Sequence, residues 1–211
     1  PNLPIGFSFV ITWYNPNPKR VNLGQMVQAA ELARKYRFDY ISFKPMLVRD
    51  TRYAEVVGIN GDATFEETAE TIKRNYEAAK ELETDNFKIV ATNNLQIFLD
   101  GRKEEYKSQP QQCHMQYFRH VVAPCGIFSC SGCRGNEKFR LAEKNGYSSD
   151  EKFKTIREKN LRKILQNDAS IECEGVTCLY NGFNWFVEDL IAHPEKLEDL
   201  KPSLEKGDYY L

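Results

Sequence analysis

Four of the six cysteines fall in one stretch, Cys113 to Gly135 (CHMQYFRHVVAPCGIFSCSGCRG), and the other two return as Cys173 and Cys178 in CEGVTC. No other feature restricts the fold as much, because thiolates are soft, strongly donating ligands of the kind that hold structural zinc and iron–sulfur clusters. The turn CSGC brings Cys130 and Cys133 together, and Gly132 is expected to let the backbone curl around an ion. The pair Cys173 and Cys178 lies far enough downstream to close such a site from another segment. Disulfides or inert buried thiols are the plain alternative. No secretory leader is visible and no apolar run nears the roughly 20 residues that span a bilayer. The expectation is therefore a cytoplasmic chain in a reducing compartment, with thiols kept for metal.

Upstream of the cysteines, strand and helix patterns alternate. IGFSFVIT at 5–12 is an apolar, β-branched run of the type buried on both faces, and the prolines of WYNPNPKR end it. Asn22 is placed to cap a helix over 23–36 that turns Met26, Val27, Ala30 and Ala33 to one side. FDYISFK at 38–44 is a second strand, closed by Pro45. Thr64 and Glu67 form a capping box for a helix with Phe65, Ala69, Ile72, Tyr76 and Ala79 on one stripe. FKIVAT at 87–92 is the third strand. This order predicts an α/β fold, a parallel sheet with right-handed crossovers.

Ligands of such sheets sit at the carboxyl ends of the strands. Those ends carry Thr12, Asn15, Lys44 and Asn93, which together mark a face for a polar ligand. Three strands and two helices neither close a barrel nor protect both edges. The chain also begins at Pro1 and enters a strand almost at once, so further βα units are expected on its N-terminal side. Residues 1–100 are thus expected to be the later units of a partial (β/α) barrel, and 101–211 a small α+β cysteine-rich domain.

In that second part, FRHVVAP and GIFSC read as a β-hairpin hinged at Cys125–Gly126, presenting Cys130 on its second arm. Tyr117, Phe118 and Phe128 fall at alternating strand positions expected in the core. Ser148 and Glu151 are placed as a capping box for an amphipathic helix to about Leu165, with Phe153, Ile156 and Leu161 on its core side. A short helix, NWFVEDLI, follows the last cysteines, anchored by Trp185 and Phe186, with His193 a surface residue near its end. The net charge of −1 argues against a polyanionic partner, so neither nucleic acid nor a membrane is expected.

The pattern resembles the C-terminal half of a radical SAM enzyme with a SPASM or twitch-type auxiliary domain. The barrel part carries it loosely, through GFSFVIT and the strand ending in Lys44–Pro45. The stretch from Cys113 to Asn184 carries it more tightly: Cys113, an aromatic and His-bearing strand, Gly126 with Cys130 four residues on, then CEGVTCLYNGFN. The resemblance implies an auxiliary [4Fe–4S] cluster on Cys113, Cys130, Cys173 and Cys178, with Cys133 a competitor through its closeness to Cys130. It implies that the complete enzyme splits S-adenosylmethionine on a separate cluster, and that the resulting radical takes hydrogen from a peptide, sugar or other small-molecule substrate. An electron donor is implied as partner. Thr12, Asn15, Lys44 and Asn93 would then contact the S-adenosylmethionine, Lys44 meeting its carboxylate. The CxxxCxxC loop that holds the first cluster is absent, as is the glycine-rich segment that follows it. The resemblance therefore places the radical-generating half outside this chain, which should be inactive alone.

Two readings of other classes remain. Cys130/Cys133 with Cys173/Cys178 would make a four-thiolate zinc module without catalysis, leaving Cys113 and Cys125 as plain thiols. His114 and His120, near Cys113 and Cys125, would suit a cysteine-nucleophile hydrolase, although so many neighbouring thiols compete for oxidation or metal.

Overall fold

The computed structural model describes residues 3–13, 21–49, 55–57 and 65–200. It divides near Lys103 into two compact units, with the short segment around Val48 and Val56 grouped with the second. Among the described residues no helix is long and apolar enough to cross a membrane.

The first unit is a three-stranded parallel sheet. β1 (Gly6–Ile11) leads through a 3₁₀ turn and α1 (Met26–Lys35) to β2 (Tyr40–Pro45). After a two-stranded ribbon of β3 (Leu47–Arg49) and β4 (Glu55–Val57) come α2 (Phe65–Lys80), β5 (Lys88–Ala91) and α3 (Asn93–Leu99). The sheet order is β1-β2-β5, and the register sets Phe7 beside Ile41 and Ile41 beside Ile89. Strand alternation puts Phe9, Ile11, Ile41, Phe43, Ile89 and Ala91 on one face. They pack there with Met26, Ala30, Ile72, Ala79, Leu95 and Phe98 from the helices. The opposite face carries Ser8, Val10, Ser42 and Lys44, of which Ser8 and Val10 are exposed.

Three local expectations change. β1 is an edge strand rather than one buried on both faces, with Phe7 39% and Val10 49% exposed, because it pairs on one side alone among the described residues. Asn22 does not cap α1. Its side chain accepts the Thr12 N–H at 2.7 Å and donates to the Val10 carbonyl at 2.9 Å, so it ties down the end of β1. The sequence gives two competing uses for such an amide, and the neighbouring strand end wins because its backbone groups otherwise lack partners. α3 was not anticipated, since its seven residues are too few for a clear helical period. The Thr64 capping box lies outside the described residues.

The second unit begins with a 3₁₀ stretch (Arg102–Lys107) and α4 (Met115–Phe118). A three-stranded antiparallel sheet follows, β6 (Val121–Ala123), β7 (Gly126–Phe128) and β8 (Arg140–Ala142). The hairpin expected at Cys125–Gly126 is present, and β8 adds a third strand. Gly126 is required at the hinge: its φ is +141°, and a Cβ would lie 2.8 Å from the Ala142 carbonyl oxygen. Cys130 sits beyond the end of β7, not on it.

α5 (Asp150–Gln166), α6 (Ala169–Glu172) and α7 (Asn181–Ala192) complete the unit. α5 is capped one residue later than expected, by Ser149, whose side chain accepts the Lys152 N–H. Its buried stripe is Ile156, Asn160 and Ile164, and Phe153 and Leu161 are about half exposed. Tyr117 and Phe118 lie on α4 and are exposed, whereas Phe128 is fully buried on β7. Trp185 is half exposed, and its indole N–H donates to the Ser108 carbonyl at 2.9 Å. His193 is exposed at the end of α7, beside Asp189 and Glu195.

Candidate functional site

Five cysteines come together in the second unit from separate segments. Cys113 precedes α4, Cys130 and Cys133 follow β7, Cys173 ends α6, and Cys178 stands just before α7. Backbone bonds hold the segments in place: the Ala169 N–H donates to the Gln111 carbonyl at 2.8 Å and the Cys178 N–H to the Tyr106 carbonyl at 3.1 Å. Cys113, Cys130, Cys173 and Cys178 line one small cavity of about 30 Å³. Cys133 stands behind it, 4% exposed, packed against Phe139 and Val176 and next to Cys130 and Cys173. All six cysteines are free thiols, and Cys125 is exposed at the hairpin turn, away from the cavity lining.

The electrostatics treat these thiols unequally. The Cys133 thiol donates to Cys130 and brings it down from 9.0 to about 7, aided by the backbone N–H groups of Cys133 and Gly132 and by the nearby Arg119 charge, against the cost of burial. Cys133 is pushed far up by that same bond, by burial and by the surrounding cysteines. Burial raises Cys113 and Cys178, and the neighbouring cysteines push both further. One negative charge is thus favoured in the cluster while further ones are resisted.

Backbone amides approach three of the sulfurs. The backbone N–H of Cys133 lies near the sulfur of Cys130; the N–H groups of Gln116 and Asn181 lie near the sulfurs of Cys113 and Cys178 but donate to those cysteines' own carbonyls, at 3.3 and 3.0 Å. Such N–H groups stabilise anionic sulfur, as bound thiolate ligands require. Cys113 has further help. The Asn184 amide nitrogen lies 3.7 Å from its sulfur, while the Asn184 Oδ1 accepts the Met115 N–H at 3.1 Å. The Gln116 side chain also reaches it. Asn184 is 1% exposed and Gln116 3%, so these are built contacts. Neither was singled out as a thiol support in the sequence: Gln116 stands three residues after Cys113, but Asn184 is 71 residues from it and carries no local signal. Gly132 needs no special conformation: a Cβ there would meet only Cys130 Sγ at 3.9 Å, and the left-handed residue of this loop is Gly135, at φ +94°.

As the chain stands, no group of three or more His, Cys, Asp or Glu side chains among the described residues is arranged to hold a metal ion. The thiols face one cavity without being drawn into a ligand shell. The histidines have other partners. His114 is buried, its Nε2 2.8 Å from Glu188 Oε1, and His120 Nδ1 meets the Tyr147 hydroxyl at 2.5 Å. Neither ring nitrogen so engaged is paired with a cysteine sulfur.

The other predicted set lies in the first unit. The parallel register brings Thr12, Lys44 and Asn93 to one edge of the sheet: Thr12 just past β1, Lys44 paired with Val10 near the end of β2, Asn93 opening α3 after β5. Lys44 stands on the face turned away from the helices, in line with Ser42. Asn15 lies outside the described residues. At the same edge, the Thr92 hydroxyl is buried without a hydrogen-bond partner.

No protein-family model, curated protein or solved structure matches this chain.

Proposed function

We propose that the second unit is an auxiliary iron–sulfur domain of the radical SAM twitch type, with Cys113, Cys130, Cys173 and Cys178 as ligands of a [4Fe–4S] cluster. The observation that carries it is the convergence of these four thiols on one cavity, with the buried Asn184 amide 3.7 Å from the Cys113 sulfur. The donor set fits: four cysteines are the usual ligands of such clusters, and hydrogen bonds to their sulfurs are a known control on potential. When bound, the cluster would supply one-electron chemistry or an iron for substrate to bind. The chain's own part is to hold the thiols together, to keep water from them by burial, and to place Arg119 beside Cys130.

The first unit would be the later part of a (β/α) barrel. Supporting this are the open edge of β1, the polar face bearing Ser42 and Lys44, and an apolar groove of about 350 Å³ along β1 and α1, lined by Phe7, Leu32, Tyr36 and Phe38 among others. In the complete enzyme Thr12, Asn15, Lys44 and Asn93 would contact S-adenosylmethionine. The radical-generating CxxxCxxC loop would come from another segment or chain. Substrate would be a peptide, sugar or other small molecule, with a separate electron donor.

A specific observation favours a second reading. The cavity is about 30 Å³, close to the roughly 30 Å³ that one water takes up in the liquid. That is room for a single ion, and Cys133 packs against Cys130 and Cys173, which line it. Zinc on Cys130, Cys133, Cys173 and Cys178 would be a structural, non-catalytic centre.

Anaerobic reconstitution with iron and sulfide separates the two. The cluster reading expects about four irons per chain, lost in Cys113→Ser and kept in Cys133→Ser. One tightly held zinc with no iron, surviving Cys113→Ser but not Cys133→Ser, overturns it in favour of the structural module.

A further inference from the structure

Beside the cysteine cavity lies a second one, of about 250 Å³, at the end of α5. Its polar lining is Gln116, Ser129, Lys138, Lys163, Gln166 and Asn167, with no carboxylate among them. Gln116, Ser129 and Phe139 line both cavities.

The charge here is only partly compensated. Lys138 is neutralised by Glu172. Lys163 bonds only to backbone carbonyls, those of Lys138 and, at 3.4 Å, of Glu137, and has no carboxylate partner among the described residues. Burial, Lys159 and Lys138 all disfavour its charge, and only Glu137 favours it. Asn167 adds a buried amide nitrogen with no hydrogen-bond partner. An orphaned buried donor is costly to keep, so its retention beside a cation asks for an acceptor. The α5 C-terminus opposes an anion, but its dipole is worth only about half a charge against the full charge of Lys163.

We propose that this cavity binds the oxyanion of a small molecule, a carboxylate or a phosphate, on Lys163 and the Asn167 amide. The group would sit against the wall shared with the cysteine cavity, where the Gln116 side chain reaches Cys113. The site does not depend on any metal reading.

The test is calorimetric titration of the full chain at low ionic strength with inorganic phosphate and, separately, glutarate, using potassium chloride as control. Saturable binding of either is expected, and which one binds names the group. Lys163→Gln should weaken it about tenfold or more, as loss of a charged hydrogen bond does. Lys159→Gln, whose residue does not line the cavity, should change it little. Asn167→Leu should weaken binding severalfold while raising the melting temperature, because it deletes an unpaired buried donor; a purely structural asparagine would not show that combination. If Lys163→Gln fails to fold, Asn167→Leu decides alone. Absence of saturable binding by both anions, or affinity unchanged in the variants, overturns the proposal. Repeating the titration on metal-stripped protein separates this outcome from that of reconstitution.

Discussion

Cys130 is the thiol on which the cluster's charge settles. Its folded pKa of about 7, against an ordinary 9.0, means that the folded chain releases this proton before the unfolded chain does. A depressed pKa contributes stability that is fully present above the unfolded value and is lost as pH falls through the folded one. From this thiol, stability of the metal-free, reduced protein should therefore rise between about pH 7 and 9. Cys113, Cys133 and Cys178 are all raised, so their contribution is present below the unfolded value and is lost as pH climbs past it. Stability should turn down above about pH 9. Thiolate absorbance is expected to show one group titrating near neutrality, absent in Cys130→Ser. Titration of all cluster thiols together near 9 would contradict the assignment. The Asn184 amide supports Cys113 from the other side. Asn184→Leu should cost about 1–3 kcal/mol in urea unfolding, since the Met115 N–H loses its acceptor inside the fold.

Among the elements, α5 and β1 each depart from their expected local pattern. α5 starts from its Ser149 cap and buries Ile156, Asn160 and Ile164 against the unit it packs on. Ile156→Ala should cost about 2–5 kcal/mol, and Phe153→Ala well under half of that, because Phe153 is 45% exposed. Equal costs by denaturant melt would return the helix to its expected orientation. Asn22 joins β1 to the turn before α1 through two side-chain bonds, at 2.7 and 2.9 Å. Asn22→Ala is expected to destabilise by about 1–2 kcal/mol and to speed hydrogen exchange at Thr12. Loss of a helix cap would instead act on the amides of the first turn of α1.

For the whole molecule, the proposed metal centre would link metal to fold in only one of the two units. The core around Ile41, Phe43, Ile89 and Phe98 contains no cysteine, whereas Cys130, Cys133 and Cys173 belong to the small apolar cluster of the second unit. Binding to the native state alone stabilises by mass action. Stripping bound metal with a chelator should therefore abolish slow hydrogen exchange at Ile127, Phe128 and Leu141 while leaving it at Ile41 and Phe43. Uniform loss in both units would show that they unfold as one. The chain as given carries no CxxxCxxC loop. With S-adenosylmethionine and a strong reductant it should form no 5′-deoxyadenosine, and turnover above a no-protein control would refute that.

The sequence by itself determined the alternation of β1, α1, β2, α2 and β5, because each segment carries its own hydrophobic period and the strands run into prolines or asparagines. It also determined the hairpin at Gly126 and the two cysteine-bearing regions, since turn chemistry and thiol identity are local properties. Local pattern could not say that β1 is an edge: burial of a strand's second face depends on neighbours far away in sequence. Nor could it say which cysteines line the cavity and which one stands behind it. Cys133 is three residues from Cys130, yet Phe139 and Val176 enclose it, and those contacts exist only once β7, α6 and the loop before α7 have packed. Asn22, Gln116 and Asn184 were settled at the same level. An amide side chain has several acceptable partners, and the one it takes is whichever buried backbone group or sulfur the assembled fold would otherwise leave unsatisfied.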